Sequence, residues 1–326
     1  MNKGRIFHNL TFLLLAVLAF NGSAAAQKRH KHKEKQNRAR VSAGRPVMWE
    51  AVNIRSRNLY DGPGGTGMRP NLSRIEFLKD EKGGHNKKYR IRDGSGNEWV
   101  AKLGREAQPE TAAVRLLWGI GYKTEINYLV PTLTIPGKGT FQNVRLEARP
   151  SNVERLGEWK WESNPFVGTP QLQGLKMMMV FMTNWDVLDL QNKILRVGGE
   201  DQYVVSDLGS TFGRLGNNNL PLFYRLGRKV NSPKSYIKTS FVKEVEEGEV
   251  KLAYKGKNRG LFRGFKVDQA RWLARLLSRL SEQQIRDAFR AANYSDVDIR
   301  TLTTAVNNKI RELENAVGGR NLAELR

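Results

Sequence analysis

Between residues 74 and 148 apolar and polar positions alternate in short runs, and beyond residue 150 they fall mainly into helical spacing. The first run, RIEFLKDEK (74–82), is followed by KKYRIRDGSGNEWVAKLG (87–104), where Asp93-Gly94-Ser95-Gly96 separates two alternating segments and predicts a β-hairpin. Gly83-Gly84-His85-Asn86 makes another tight connection, so three consecutive antiparallel strands are expected. Strand alternation places Val100 and Lys102 on one face and Trp99 and Ala101 on the other. PETAAVRLLWGIGY (109–122) predicts a helix, with Pro109 suited to its first turn and Gly121 to its end. Helical spacing stacks Glu110 with Ala113, Val114 and Leu117, so a carboxylate heads an inward-facing apolar stripe. NYLVPTLTI (127–135) and TFQNVRLEARP (140–150) predict two more strands, which complete a five-stranded lobe.

The second half reads differently. QLQGLKMMMVFMTN (171–184) is strongly apolar, NKILRV and DQYVVSDLG form a hairpin-like pair around Gly198-Gly199, and a long basic segment (214–265) follows. VDQARWLARLLSRL, SEQQIRDAFRAANY and SDVDIRTLTTAVNNKIRELENAV predict three terminal helices, the second opened by a capping box of Ser281 and Gln284. The expectation is an α+β fold of two lobes, a small antiparallel β N-lobe (46–150) and a mainly helical C-lobe (151–326), with residues 46–70 as a glycine-rich loop. A ligand site is expected in the cleft between the lobes.

Composition adds a location. Lys3 and Arg5 precede an eleven-residue, almost wholly apolar run (10–20) and the small residues 22–26, the pattern of a secretory signal peptide over 1–26. The chain is therefore expected to be exported, periplasmic or secreted. Residues 27–45 carry eight Lys/Arg against Glu34 and no apolar periodicity, a basic disordered tail. Taking the tail's +7 and the leader's two positive charges from the formal +23 leaves +14 on the body. Such charge attracts anionic envelope polymers or lipid; no specific nucleic-acid motif accompanies it. There is no cysteine, and the four histidines offer no metal spacing outside the tail, so any metal must be held by carboxylates and amides. That donor set suits Mg²⁺ or Mn²⁺.

Four features now stand in order: the strand residue Lys102, the helix-heading Glu110, an Asp186-x-x-x-x-Gln191-Asn192 loop behind the apolar helix, and Asp207-Leu208-Gly209 after a strand. Phosphoryl transfer from a nucleotide needs this inventory: a lysine for the α/β-phosphates, a carboxylate to fix it, an aspartate for the attacking hydroxyl, and an amide with a second aspartate for the metal.

On these residues the sequence resembles the protein-kinase-like superfamily. WVAK (99–102) is similar to the strand-lysine motif, DVLDLQN (186–192) to the catalytic loop and SDLG (206–209) to the Asp-Phe-Gly motif. The loops are more similar to atypical members, such as secretory-pathway, phosphoinositide and HipA-type kinases, and stretches such as LGREAQPETAAVRLLWGIGY resemble a group of bacterial secreted proteins. The resemblance implies a kinase-like phosphotransferase that uses ATP or another nucleotide with Mg²⁺ or Mn²⁺ and acts on a hydroxyl of a protein, glycan or lipid. It implies Asp186 as catalytic base, Lys102 on the phosphates beside Val100, Glu110 orienting the lysine, and Asp207 with Asn192 or Gln191 on the metal, Asn192 being favoured. Gly83 and Gly84 would have to serve as the phosphate-covering loop. Trp185 is expected to anchor the catalytic loop in the helical core and Asp189 to sit on the loop's outer side and be dispensable.

The departures from the pattern are specific. Lys102 and Glu110 are only eight apart, and Glu106 competes for the carboxylate's role. Leu188 stands where a lysine often follows the catalytic aspartate. The alternative reading is a non-catalytic, pseudokinase-type binding module of the cell envelope with a basic surface.

Overall fold

A computed structural model of the chain describes residues 44–82, 86–216 and 227–318. The signal peptide and nearly all of the basic tail expected from sequence, and Gly83 and Gly84, lie outside the described residues.

A five-stranded antiparallel sheet in the order β2–β3–β4–β6–β5 forms the first lobe. Its strands are β2 (Glu76–Glu81), β3 (Lys88–Arg92), β4 (Glu98–Lys102), β5 (Asn127–Ile135) and β6 (Gly139–Ala148). The β3–β4 hairpin is closed by Asp93, whose carboxylate accepts hydrogen bonds from the backbone N–H of Ser95 and Asn97 and from Trp99 Nε1, all at 2.9 Å. One sheet face buries Tyr89, Ile91, Trp99, Ala101 and Leu146 in a core of its own. The alternation that sends Trp99 and Ala101 inward turns Val100 and Lys102 to the other face.

Helix α1 (Ala107–Gly119) links β4 to β5 and is buried on nearly every side, not along one stripe. Glu110, Thr111 and Arg115 are buried along with its apolar residues. Here the sheet covers one side and the helical second half another, since Ala112, Ala113, Val114 and Leu117 belong to the second half's core. Gly121 ends the helix at φ +102°, where a Cβ would lie 2.4 Å from the Glu50 carbonyl oxygen.

The second half is built on α2 (Pro170–Phe181), α4 (Val267–Leu277), α5 (Glu282–Arg290) and α6 (Asp296–Val317), with a short α3 (Pro233–Tyr236). Thr169 caps α2 and the run Met177 to Phe181 is entirely buried. Ser281 and Gln284 form the expected capping box of α5.

This half also carries two sheets, of which only the β8–β9 hairpin was expected. β7 (Val153–Gly157), β8 (Asn192–Val197) and β9 (Glu200–Val205) are joined by β1 (Arg45–Val47), which pairs in parallel with β9. Arg45, assigned from sequence to the disordered tail, is thus the first residue of a strand. β10 (Val242–Glu246), β11 (Glu249–Leu252) and β12 (Phe265–Lys266) form a third sheet inside the long basic segment. The segment after β1, read as a loop of the first lobe, packs with the helices: Met48, Ile54 and Leu59 are core residues, and Gln284 Nε2 donates to the carbonyls of Ile54 (2.7 Å) and Arg57 (2.9 Å).

Candidate active site

Lys102 stands at the end of β4, its side chain 4% exposed, with three carboxylates around one ammonium. Nζ lies 2.9 Å from Glu110 Oε2, 3.2 Å from Glu106 Oε2 and 3.2 Å from Asp207 Oδ1. The eight-residue spacing works because residues 103–106 turn back at Gly104 (φ +97°), so α1 starts beside the lysine. Both carboxylates that competed for the partner's role hold it.

Burial alone would push the Lys102 ammonium down in pKa, but Glu110, Asp207 and Glu106 outweigh it and hold the group above the ordinary lysine range. Burial likewise works to raise Asp207, and the charge and hydrogen bond of Lys102 bring it below the usual aspartate range. Lys102 is therefore a cation and Asp207 an anion near neutral pH.

Arg145 was not singled out from sequence. It pairs with Lys102 across β4 and β6, and its Nη2 lies 3.2 Å from Glu110 Oε1 and 2.6 Å from Glu147 Oε2. Glu147 also meets Arg149 and, at 3.3 Å, Arg155. A signal for these residues was present in RLEAR (145–149), where charges recur at every second position of a strand and must share one face.

Asp207 follows β9, its side chain 44% exposed. The glycine of Asp207-Leu208-Gly209 has a definite reason: a Cβ on Gly209 would stand 2.6 Å from Glu106 Cβ. Its absence lets the two segments approach closely enough for Glu106 and Asp207 to share Lys102. Leu208 is fully buried and anchors the turn.

The loop after α2 is ordered by its own side chains. Asn184 Oδ1 accepts the Asp186 backbone N–H at 3.0 Å. Gln191 Oε1 accepts the Leu188 backbone N–H, and Gln191 Nε2 donates to Asp186 Oδ2, both at 3.1 Å. The other Asp186 oxygen is ion-paired with Lys257. Of the two amides left open by the sequence, Gln191 lines the cleft with Lys102 and Asp207, whereas the favoured Asn192 is fully buried and donates to the Trp159 carbonyl at 3.1 Å. Asp186 does not itself line the cleft and meets it through Gln191. Two further expectations need correction. Trp185 is half-buried, with the Arg228 guanidinium 4.6 Å from its ring centre, and Val187 is the residue that enters the core. Asp189 is not idle, since it accepts the Trp161 backbone N–H at 3.1 Å.

The cleft that collects Val100, Lys102, Glu110, Gln191 and Asp207 has a volume of about 420 Å³ and a mostly charged lining. Eight lysines and arginines face four carboxylates there, a balance that suits a polyanion.

No family model and no curated protein matches the sequence. Among solved structures the chain is similar to a proinflammatory kinase, CtkA, of Helicobacter pylori, at 10% identity and a TM-score of 0.47, over 78% of this chain and 99% of that one. It is also similar to the Golgi casein kinase, at 10% identity and a TM-score of 0.33, over 78% of this chain and 74% of that one.

Proposed function

We propose that this chain is an ATP- and divalent-metal-dependent phosphotransferase that acts on a hydroxyl outside the cytoplasm. One observation carries the reading: a buried lysine held by a helix carboxylate at 2.9 Å also touches, at 3.2 Å, a cleft-exposed aspartate from the turn after a separate strand. A structural ion pair needs one partner. This lysine has three, and the most exposed of them faces a cationic cleft.

In this reading Lys102 binds the α/β-phosphates, oriented by Glu110 and Glu106, and Val100 packs against the nucleotide. Asp186 accepts the proton of the attacking hydroxyl as its oxygen bonds to the γ-phosphorus and the bond to the β–γ bridging oxygen breaks, releasing the nucleoside diphosphate. Lys257 offsets the negative charge at Asp186 and at the arriving phosphoryl group.

The residues fit a divalent cation. Asp207 Oδ1 is used by Lys102 and Gly209, while no hydrogen bond among the described residues uses its second oxygen. Gln191 also lines the cleft, and its Oε1, which accepts the Leu188 N–H, is the amide oxygen there. No group of three or more His, Asp or Glu forms a metal cage among the described residues, so the ion would share nucleotide oxygens and water with Asp207 and Gln191, as Mg²⁺ and Mn²⁺ do. Bound there, it would neutralise the phosphates. Export is part of the proposal and is supported by the leader pattern of residues 1–26.

The test is thermal stability and phosphate transfer with ATP and other nucleoside triphosphates, with and without Mn²⁺. A metal-dependent stabilisation of about 2.7 kcal/mol at a hundredfold excess over Kd is expected, together with nucleoside diphosphate release. Stabilisation without any transfer would favour the non-catalytic module, and no metal-dependent binding of any nucleotide would end the reading.

A further inference from the structure

Sixteen residues line the cleft of Lys102, and only Val100 and Leu190 among them are apolar. Val100 is itself buried, 5% exposed, and no aromatic ring lies in the wall. A nucleobase is held by stacking on apolar surface and by hydrogen bonds to its edge. The stacking surface is scarce here, and the edge finds no free backbone donor along residues 148–150. The Ala148 N–H donates to the Ile126 carbonyl at 2.9 Å, the Arg149 N–H donates to the Glu98 carbonyl at 2.8 Å, and Pro150 has no N–H. The charged side chains at this end of the cleft are engaged with one another, Glu147 meeting Arg145, Arg149 and Arg155.

A phosphate, in contrast, finds an unspent cation. Lys88 of β3 stands directly opposite Lys102 of β4, and Lys102 opposite Arg145 of β6, so three cations form one row across the cleft face of the sheet. Lys102 and Arg145 are held by Glu106, Glu110, Asp207 and Glu147. The carboxylate opposite Lys88 on β2 is Glu81, and Arg90 Nε takes it at 2.7 Å. The half-buried Lys88 side chain is left without an ion pair or hydrogen bond among the described residues. Like charges directly opposite one another on a sheet are destabilising. An anion lying over the row relieves that repulsion.

We propose that this cleft recognises the phosphate chain of its ligand and not the base, with Lys88 as the cation that meets the chain beside Lys102. Nucleoside triphosphates of every base, and inorganic tripolyphosphate, then bind alike. A lysine is a point charge on a flexible stem, which suits a chain of phosphates that no planar group holds in register. The inference rests on the reading of this cleft as the phosphate site and adds to it the class of ligand.

The probes are ATP, GTP, CTP, UTP, inorganic tripolyphosphate and adenosine, each titrated by calorimetry into the full chain in the presence of Mn²⁺. The four nucleotides and tripolyphosphate should bind with dissociation constants within about threefold of one another, and adenosine should not saturate by about 1 mM. Lys88→Met should weaken all five by a common factor of roughly ten. It breaks no ion pair or hydrogen bond, so the melting temperature of the unliganded chain should not fall. Lys87→Met is the control for lost net charge. Its ammonium lies 5.3 Å from the ring centre of Tyr89, a core residue on the opposite face of the sheet, and its removal should leave the affinities unchanged. A preference for ATP of more than about tenfold over the other nucleotides, or failure of tripolyphosphate where ATP binds, overturns base-independent recognition and leaves the phosphotransferase reading standing. Equal affinities in Lys88→Met and the wild type remove Lys88 from the site. Failure of every triphosphate to bind ends both readings.

Discussion

Lys257 places its ammonium on the carboxylate of Asp186 although the two residues come from distant segments. The contact is not a chance meeting of surface groups. The Lys257 backbone N–H donates to the Trp185 carbonyl at 2.8 Å, and Asn258 Nδ2 donates to the Val187 carbonyl at 2.9 Å, so the later segment is stitched along the loop that holds Asp186. Leu188 occupies the position where the kinase pattern often has a lysine. The downstream loop places a cation beside Asp186.

If this ammonium assists transfer, Lys257→Met should lower kcat by about 10² and leave the KM for ATP nearly unchanged, with Lys257→Arg intermediate. The loss then belongs to the transition state and not to nucleotide binding. Initial rates over a range of ATP concentrations check this. An unchanged or increased kcat would show that Lys257 merely plugs the site.

Lys102 and Glu110 make a different pair of effects. Their side chains are 4% and 1% exposed, so removing either partner leaves a buried charge, at a cost of about 3–5 kcal/mol for such pairs. Arg145 lies 3.2 Å from Glu110 and can keep it company when the lysine is gone. Lys102→Met is therefore expected to fold, with a lowered melting temperature, and to lose stabilisation by nucleotide. Glu110→Gln should lose less nucleotide affinity, because Glu106 still holds the ammonium. Melting curves with and without nucleotide separate the two quantities. Full nucleotide stabilisation of Lys102→Met would remove the lysine from the site.

What the sequence made legible, and what it hid, follows from the range of each interaction. The β3–β4 hairpin and the α5 cap are set by neighbours within a few residues, Asp93 with Ser95 and Asn97, and Ser281 with Gln284, so they can be read directly. The lysine, the helix carboxylate and the final aspartate were readable as an ordered set because each stands at or close to the end of an element, Lys102 ending β4, Glu110 in the first turn of α1 and Asp207 just after β9. β1 was not, since three residues containing Pro46 carry no period, and pairing with β9 is decided by the rest of the fold. The loop after α2 was read too locally. Which amide faces the cleft depends on the side-chain period of β8, which begins at Asn192 and turns that residue inward to the Trp159 carbonyl. Lys257 had no local signal at all.

That local geometry separates the two amides experimentally. Gln191→Ala removes a cleft donor and unties Asp186, so the metal-dependent part of nucleotide stabilisation should largely disappear. Asn192→Ala leaves the cleft lining intact and strands the buried Trp159 carbonyl, which should cost about 1–3 kcal/mol of stability. Its response to Mn²⁺ should remain. Metal titrations of the two variants in the presence of nucleotide decide between them, and loss of the metal response in Asn192→Ala alone would reverse the assignment.

The pair Glu125 and Glu147 sets a pH dependence whose sign can be worked out. Burial, reinforced by Glu147 and opposed by Arg155 and Arg149, raises the Glu125 carboxyl from 4.5 to about 7. A carboxyl raised in the fold holds its proton more tightly there than in the unfolded chain. Its contribution to stability is thus complete below about pH 4.5 and is lost as pH rises through about 7. Glu147 behaves oppositely: burial works to raise it, but Arg149 and Arg145 hold it well below the usual range, so its contribution is present above 4.5 and fades only in acid. Between pH 5 and 8 Glu125 contributes to the slope beside Glu110, which burial also raises, and Lys309, which burial lowers to about 8. Glu125→Gln cannot titrate, so the wild type should lose stability relative to this variant across that window, by on the order of 1–3 kcal/mol, or a few degrees in Tm. Groups common to both proteins cancel in the difference. Denaturant unfolding of the two chains at pH 5, 6, 7 and 8 measures it, and parallel curves would mean that Glu125 is already ionised at pH 5 and fully compensated by Arg155.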